Sequence, residues 1–147
     1  TPTFMSYIFD RAKPGELDSL KLIVVGAEKP SEALFEKAKQ AARNAAIIEG
    51  YGITECSPVV SVTRPGAPRR GTIGPPIPGV ELCVTDLETG AVLPPGRVGM
   101  LHVAGPNVFG GYIGSDAPSP FAEIGGRRWY VTGDLAAVDG RGEVVFH

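Results

Sequence analysis

The spacing of apolar residues divides the chain into two parts near Pro58. Ahead of it, residues 20–25 and 46–49 are short runs rich in Leu, Ile and Val. Between these runs, apolar residues recur every three or four positions after Ser31, which is the spacing of an amphipathic helix with a serine N-cap. Strand, helix and strand predict one βαβ unit with parallel strands. Residues 7–9 also fit a helix.

Beyond Pro58 the pattern changes to short apolar or alternating runs separated by Gly and Pro turns, which predicts strands. The predicted strands are residues 59–63, 81–85, 98–104, 129–131, 135–138 and 143–146. The expected fold class is therefore α/β plus β. A truncated parallel α/β unit (residues 1–58) is followed by a small, mainly antiparallel β-barrel subdomain (residues 59–147).

Composition and charge exclude several classes of protein. The 147 residues include 20 glycines and 14 prolines, and 43% are hydrophobic, which is typical of a turn-rich globular protein. A net charge of −2 argues against a nucleic-acid partner, which would require clustered Lys and Arg. Two cysteines cannot build a secreted disulfide scaffold, and no apolar run reaches the length of a membrane span. We expect a cytoplasmic location, with an association of a longer parent enzyme with the inner membrane left open.

Three segments that follow predicted strands carry candidate chemistry: Gly26-Ala27-Glu28, Tyr51-Gly52-Ile53-Thr54-Glu55 and Tyr130-Val131-Thr132-Gly133-Asp134. The second combines an aromatic ring, a glycine, a hydroxyl and a carboxylate, which suit a base, a phosphate and a divalent cation. The third offers a carboxylate to two adjacent hydroxyls, as a ribose presents. Taken singly, the three segments also fit a strand-to-helix connection, a surface loop and a hairpin turn.

The order of these motifs resembles the adenylate-forming acyl-activating superfamily of acyl-CoA synthetases, luciferases and peptide-synthetase adenylation domains. The run from Gly96-Arg97-Val98-Gly99 to Gly110-Gly111-Tyr112 adds a fourth motif, and the resemblance covers nearly all of the chain. Gly-Ala-Glu-Lys at residues 26–29 and the run 49–61 look most like one bacterial branch. That branch comprises the acyl-acyl-carrier-protein synthetases and 2-acylglycerophosphoethanolamine acyltransferases.

The resemblance implies a role for each matching position. Thr54 and Glu55 would be catalytic: Thr54 would contact the α-phosphate and Glu55 would bind Mg²⁺. Tyr51 would flank the purine ring and Asp134 would bind the ribose hydroxyls. The positions expected to bind the ATP or AMP cofactor are Gly26, Ala27, Glu28, Tyr51, Gly52, Thr54 and Asp134.

The implied reaction has two steps. The carboxylate of a fatty acid attacks the α-phosphorus of ATP and expels pyrophosphate, and a thiol of CoA or acyl carrier protein then takes the acyl group. Positioning and charge neutralisation would dominate the first step. The alternative is a non-catalytic adenylation-like domain that binds nucleotide or another protein.

The match also breaks in two places. No Gly-x-x-x-x-Gly-Lys phosphate loop occurs, and the family's catalytic lysine lies in a C-terminal domain beyond His147. We therefore expect an excised piece of a larger ligase that is inactive by itself. Truncation would expose the apolar edge of residues 20–25 and 47–48, so self-association is expected there.

Other reactive side chains have simpler interpretations. His102 and His147 are too few for a zinc site, and His102 fits a packed strand position. Cys56 fits a small buried hydrophobic residue. Trp129 is expected in the barrel core.

Overall fold

The computed structural model describes residues 1–66, 69, 71–114, 116 and 118–146, so His147 lies outside the described residues. The elements are α1 (Pro2–Arg11), β1 (Leu22–Gly26), α2 (Glu32–Ala41), β2 (Ala46–Gly52), the 3₁₀ turn η1 (Thr54–Cys56), β3 (Val59–Val62), β4 (Glu81–Thr85), β5 (Gly99–Ala104), β6 (Phe121–Ile124), β7 (Arg127–Val138) and β8 (Val144–Phe146).

The predicted βαβ unit is confirmed in a three-stranded sheet, sheet A, with the order β1-β2-β3. Strands β1 and β2 are parallel, and β3 joins β2 in the antiparallel direction. Ser31 caps α2 as expected, because its Oγ accepts a hydrogen bond from the Leu34 amide at 3.2 Å. The βαβ crossover therefore begins where the sequence placed it.

The remaining strands form sheet B, an antiparallel curled half-barrel with the order β4-β5-β7-β6, in which β8 also pairs with β7. The predicted fold class is thus confirmed. Fully buried Leu101, Val103, Ala136 and Val144 lie at its centre. The division of the chain at residues 58 and 59 stays a prediction, and β3, which follows it, pairs with sheet A.

The predicted strands 129–131 and 135–138 are wrong as separate elements, because both belong to the single strand β7. The pairing of β5 with β7 shifts register between Met100 and His102. Thr132, Gly133 and Asp134 therefore bulge opposite Leu101, and the Thr132 hydroxyl donates to the Leu101 carbonyl at 2.9 Å. A Gly-Asp pair that suggested a hairpin turn instead marks a β-bulge, which glycine permits at a φ of +83°.

Strand β6 was not predicted. It pairs with the first residues of β7, Ile124 opposite Arg127, across the two-residue turn Gly125-Gly126. Both glycines have positive φ, 61° and 75°, as a type I′ hairpin turn requires. The Gly-Gly dipeptide was therefore the available signal for this hairpin.

Residues 71–77, which we call the strap, connect the two sheets. The Ile73 amide donates to the Val144 carbonyl of β8 at 2.7 Å, and the Ile77 amide donates to the Val60 carbonyl of β3 at 3.0 Å. Gly74 lies between these contacts, where a Cβ would come within 2.2 Å of the Val62 carbonyl oxygen. The strap thus holds sheet A and sheet B side by side.

His102, Cys56 and Trp129 occupy packed positions, as expected. His102 is buried with its Nε2 2.8 Å from the Thr85 hydroxyl. Cys56 is fully buried, and neither Cys56 nor Cys83 forms a disulfide. Trp129 is buried within sheet B. The helices among the described residues are all too short or too polar to cross a membrane.

Candidate functional site

A cleft of about 480 Å³ opens between the end of β1, the end of β2 and the bulge of β7. Three segments that are distant in sequence meet in it. Of the predicted cofactor-binding residues, those that line the cleft are Gly26, Ala27, Glu28, Tyr51, Gly52 and Asp134. The fold therefore brings together the residues expected to contact an adenosine moiety.

The backbone at the ends of β1 and β2 is too crowded for side chains. A Cβ on Gly26 would lie 2.4 Å from the Gly50 carbonyl oxygen, and one on Gly52 would lie 2.3 Å from that of Pro58. Ala27 adopts a φ of +73°, an uncommon conformation for a residue with a Cβ. Such backbone strain concentrates at functional sites. Glycine at positions 26 and 52 thus lets neighbouring backbone segments pack closely beside the cleft.

Tyr51 and Asp134 connect the two sheets across the cleft. The Tyr51 hydroxyl donates a short hydrogen bond to Asp134 Oδ2, and the Tyr51 ring lies 4.6 Å from that of Phe146. Burial, followed by the hydrogen bond to the Asp134 carboxylate, raises the pKa of Tyr51 well above its ordinary value. Tyr51 therefore stays a neutral hydrogen-bond donor at physiological pH.

The bulge of β7 sets the position of Asp134. Its amide donates to the Thr132 hydroxyl at 3.0 Å, and that hydroxyl is itself bonded to the Leu101 carbonyl. Two extra residues in β7 thus lift the carboxylate out of the strand and towards Tyr51.

The cleft wall also contains residues to which the sequence analysis gave no role: Lys29, Phe35, Ile73 and Phe146. Burial raises the pKa of Glu49, which also lines the cleft, and the positive charge of Lys29 partly offsets that shift. Ile73 and Phe146 reach the cleft through the pairing of the strap with β8. That pairing links residues about 70 positions apart, so no local sequence pattern predicts it.

Thr54 and Glu55 do not line this cleft. They lie in η1, immediately after Ile53, which is the last residue of that segment to line the cleft. Thr54 is exposed, whereas Glu55 is partly buried and its Oε1 accepts a hydrogen bond from the Tyr112 hydroxyl at 2.7 Å. Asp134 therefore shares the cleft with Tyr51, and the expected catalytic pair stands just beyond its end.

The side chains of the described residues that could bind a metal ion suit a cation that is also bound by a substrate. They include no cluster of three or more His, Cys, Asp or Glu that could hold a metal by itself. Glu55 supplies a single carboxylate, and Mg²⁺ commonly binds one or two carboxylates together with substrate phosphate oxygens. The chemistry at η1 thus fits Mg²⁺ bound jointly with a nucleotide.

The cleft that gathers these segments lies between the βαβ unit and the antiparallel half-barrel. The sequence matches the family of AMP-binding enzymes over residues 1–113. The chain therefore belongs to the AMP-binding enzyme family, within the acyl-activating superfamily that its motifs resemble.

Individual relatives agree with this membership. The novobiocin biosynthesis protein H of Streptomyces niveus is 35% identical over 142 residues, which are 91% of this chain and 23% of that protein. A long-chain-fatty-acid-CoA ligase, FadD1, from Archaeoglobus fulgidus superposes with a TM-score of 0.85 at 26% identity, covering 100% of this chain and 32% of that one. ATP-bound MatB from Rhodopseudomonas palustris superposes with a TM-score of 0.76 at 32% identity. The match covers 99% of this chain and 29% of MatB. The chain thus spans about a quarter of the curated relative's length.

Proposed function

We propose that this chain carries the adenosine-binding part of an ATP-dependent ligase that activates a fatty acid as its acyl-adenylate. The observation that supports this best is the convergence of Gly26-Ala27-Glu28, Tyr51-Gly52 and Asp134 on one cleft. Family membership and the similarity to FadD1 and ATP-bound MatB support the same proposal.

In this proposal each wall of the cleft meets one part of the nucleotide. Residues 26–28, which line one wall of the cleft, form the adenine site. Tyr51 packs its ring against the purine. The Asp134 carboxylate accepts hydrogen bonds from both ribose hydroxyls.

The phosphates then extend past Ile53 towards η1. There the Thr54 hydroxyl donates to an α-phosphate oxygen, and the Glu55 carboxylate holds Mg²⁺. Held by Glu55, Mg²⁺ would supply charge neutralisation for the phosphates. The fatty-acid carboxylate attacks the α-phosphorus, and pyrophosphate leaves. Fixing both reactants is the main contribution of the protein, because effective concentration lowers the barrier without covalent help.

The second half-reaction transfers the acyl group to a thiol of CoA or acyl carrier protein. Cys56 does not take part, because burial raises the pKa of its thiol to about 11 and keeps it protonated. Two free cysteines fit the cytoplasmic location that we propose. By itself the chain is expected to bind nucleotide weakly and to catalyse no adenylation, since it supplies base, ribose and only some phosphate contacts.

A titration with AMP tests the ribose contact. Asp134→Asn keeps the shape of the side chain but removes its charge, and hydrogen bonds to a charged group contribute about 1.5–3 kcal/mol. We expect AMP to bind this variant at least about tenfold more weakly, as measured by NMR titration at millimolar ligand. Exposed Asp18→Asn is the matched control.

The ligand supplies a second control. AMP lacking both ribose hydroxyls should bind the wild type and Asp134→Asn equally. Equal AMP affinity of the two proteins would remove Asp134 from the site. AMP binding without any response to Mg²⁺ would instead favour the non-catalytic adenylation-like domain.

A further inference from the structure

The turn η1, which carries Thr54 and Glu55, is held by a segment from the other sheet. Residues 107–112, which we call the clamp, lie in the connection between β5 and β6. Asn107 Nδ2 donates to the Cys56 carbonyl at 2.7 Å and to the Val59 carbonyl at 2.9 Å. One amide group thus fixes the end of η1 and the start of β3.

The clamp also holds Glu55 twice. The Phe109 amide donates to the Glu55 carbonyl at 2.8 Å, and the Tyr112 hydroxyl donates to Glu55 Oε1 at 2.7 Å. The main chain and the carboxylate of Glu55 thus depend on the same segment.

The clamp is itself anchored in sheet B. The Phe109 ring packs edge-on against Tyr112 at 4.9 Å and against Tyr130 at 5.6 Å. Phe121 of β6 lies 5.7 Å from it. Because β7 carries both Tyr130 and Asp134, one strand fixes both the clamp and the carboxylate of the cleft.

The turn needs such external support. Ser57 ends η1 with a φ of +57°, a left-handed conformation that costs energy in a residue other than glycine. Thr54 is exposed, so its side chain contributes little packing. Without the clamp, the Glu55 carboxylate would sample several rotamers at the end of the cleft.

We propose that Tyr112 is a positioning residue that orients the Glu55 carboxylate towards a nucleotide-bound Mg²⁺. The inference rests on the function proposed above. Its hydrogen bond to Oε1 restrains the orientation of the carboxylate that would hold the cation. Asn107 and Phe109 hold the backbone of η1 through their hydrogen bonds. The Tyr112 hydroxyl restrains the side-chain torsions of Glu55. Outer-shell partners of this kind alter metal affinity without touching the metal.

The test measures how much Mg²⁺ tightens ATP binding. The dissociation constant for ATP is measured by NMR titration in millimolar Mg²⁺ and again in EDTA. The value in EDTA divided by the value in Mg²⁺ is compared between proteins. Tyr112→Phe removes only the hydroxyl and should lower this ratio about tenfold, in the range typical of outer-shell changes. ATP affinity in EDTA should stay at the wild-type value, since no ring contact is lost.

Controls separate positioning from damage to the fold. Tyr7→Phe removes the hydroxyl of an exposed tyrosine on α1 and should leave the ratio unchanged. In a Glu55→Gln background, Tyr112→Phe should cause no further loss of the Mg²⁺ effect, because the proposed positioning acts through the Glu55 carboxylate. A merely structural role would weaken ATP binding in EDTA as well.

Three other outcomes are possible, and each contradicts a different claim. A wild-type ratio in Tyr112→Phe would overturn the positioning role while leaving the proposed function standing. A wild-type protein that binds ATP without any Mg²⁺ effect would overturn both the Glu55 assignment and this inference. A wild-type protein that fails to bind ATP at millimolar concentration would overturn the proposed function itself, and this inference with it.

Discussion

Sheet A and sheet B bury their apolar residues to very different extents. In β1 of sheet A, Ile23 and Val25 are buried, but the alternating Leu22 and Val24 are 47% and 48% exposed. In β5 of sheet B, Leu101 and Val103 are both fully buried. Strand β5 of sheet B therefore lies within the core, whereas β1 of sheet A leaves one of its faces uncovered.

The difference shows how the site is divided between the two sheets. Sheet A supplies Gly26, Gly52 and the Tyr51 ring, next to an outer strand that is half exposed. Sheet B supplies the bulge that carries Asp134 and the clamp that holds η1. The well-packed sheet thus provides the parts of the site that must be rigid, as a preorganised site requires.

Truncating one leucine in each sheet tests this difference in burial. The largest loss of stability is expected in sheet B. Leu101→Ala leaves a cavity beside Val84 and Val144 and should lower the free energy of unfolding by about 2–5 kcal/mol. Leu22→Ala removes the same atoms from a half-exposed position and should cost less than about 1 kcal/mol. Urea unfolding followed by circular dichroism measures both, and equal losses would contradict the division.

The sequence predicted elements best where local signals and tertiary structure agree. The Ser31 cap and the apolar runs of β1 and β2 each have a local cause, and the structure confirms them. Thr132-Gly133-Asp134 carries the residues of a turn, and only the pairing of β7 with β5 turns it into a bulge. Glycine permits both conformations, so the choice between them is made by the neighbouring strand.

In the candidate site, too, the sequence predicted some features and missed others. Motif order indicated the segments that carry Tyr51 and Asp134, which the fold brings into contact across the cleft. It did not indicate that Tyr112 bonds to Glu55, a contact between residues 57 positions apart. Such contacts depend on how the two sheets face each other, and no periodicity along the chain encodes that arrangement.

Acid should destabilise sheet B through His102. Burial lowers the pKa of this imidazole, and its Nδ1 has no hydrogen-bond partner among the residues that the structure describes. The folded state therefore takes up a proton at His102 less readily than the unfolded state, whose imidazole titrates near pH 6.5. Stability should be constant above that pH and fall below it, by at most about 1.4 kcal/mol per pH unit.

A variant isolates the contribution of His102 to the pH dependence. His102→Gln does not titrate and retains a group that can bond to Thr85, so its unfolding free energy should lose this slope between pH 6.5 and 5. Glu49 acts in the opposite direction, because burial raises its pKa and protonation relieves that cost. It is present in both proteins and cancels in the difference. Parallel pH profiles for the two proteins would exclude His102 as the cause.

The smallest expected effect concerns the uncovered face of sheet A. We propose that copies of this chain self-associate through β1, since an exposed apolar outer strand offers unpaired backbone groups to another chain. Val24→Lys places a charge there and should weaken dimerisation about tenfold, equivalent to about 1.4 kcal/mol, in sedimentation equilibrium. Val98→Lys, at a comparably exposed valine next to sheet B, should dimerise like the wild type. A wild-type protein that stays monomeric at all concentrations would contradict the proposal, and equal weakening by both lysines would assign the effect to charge rather than to β1.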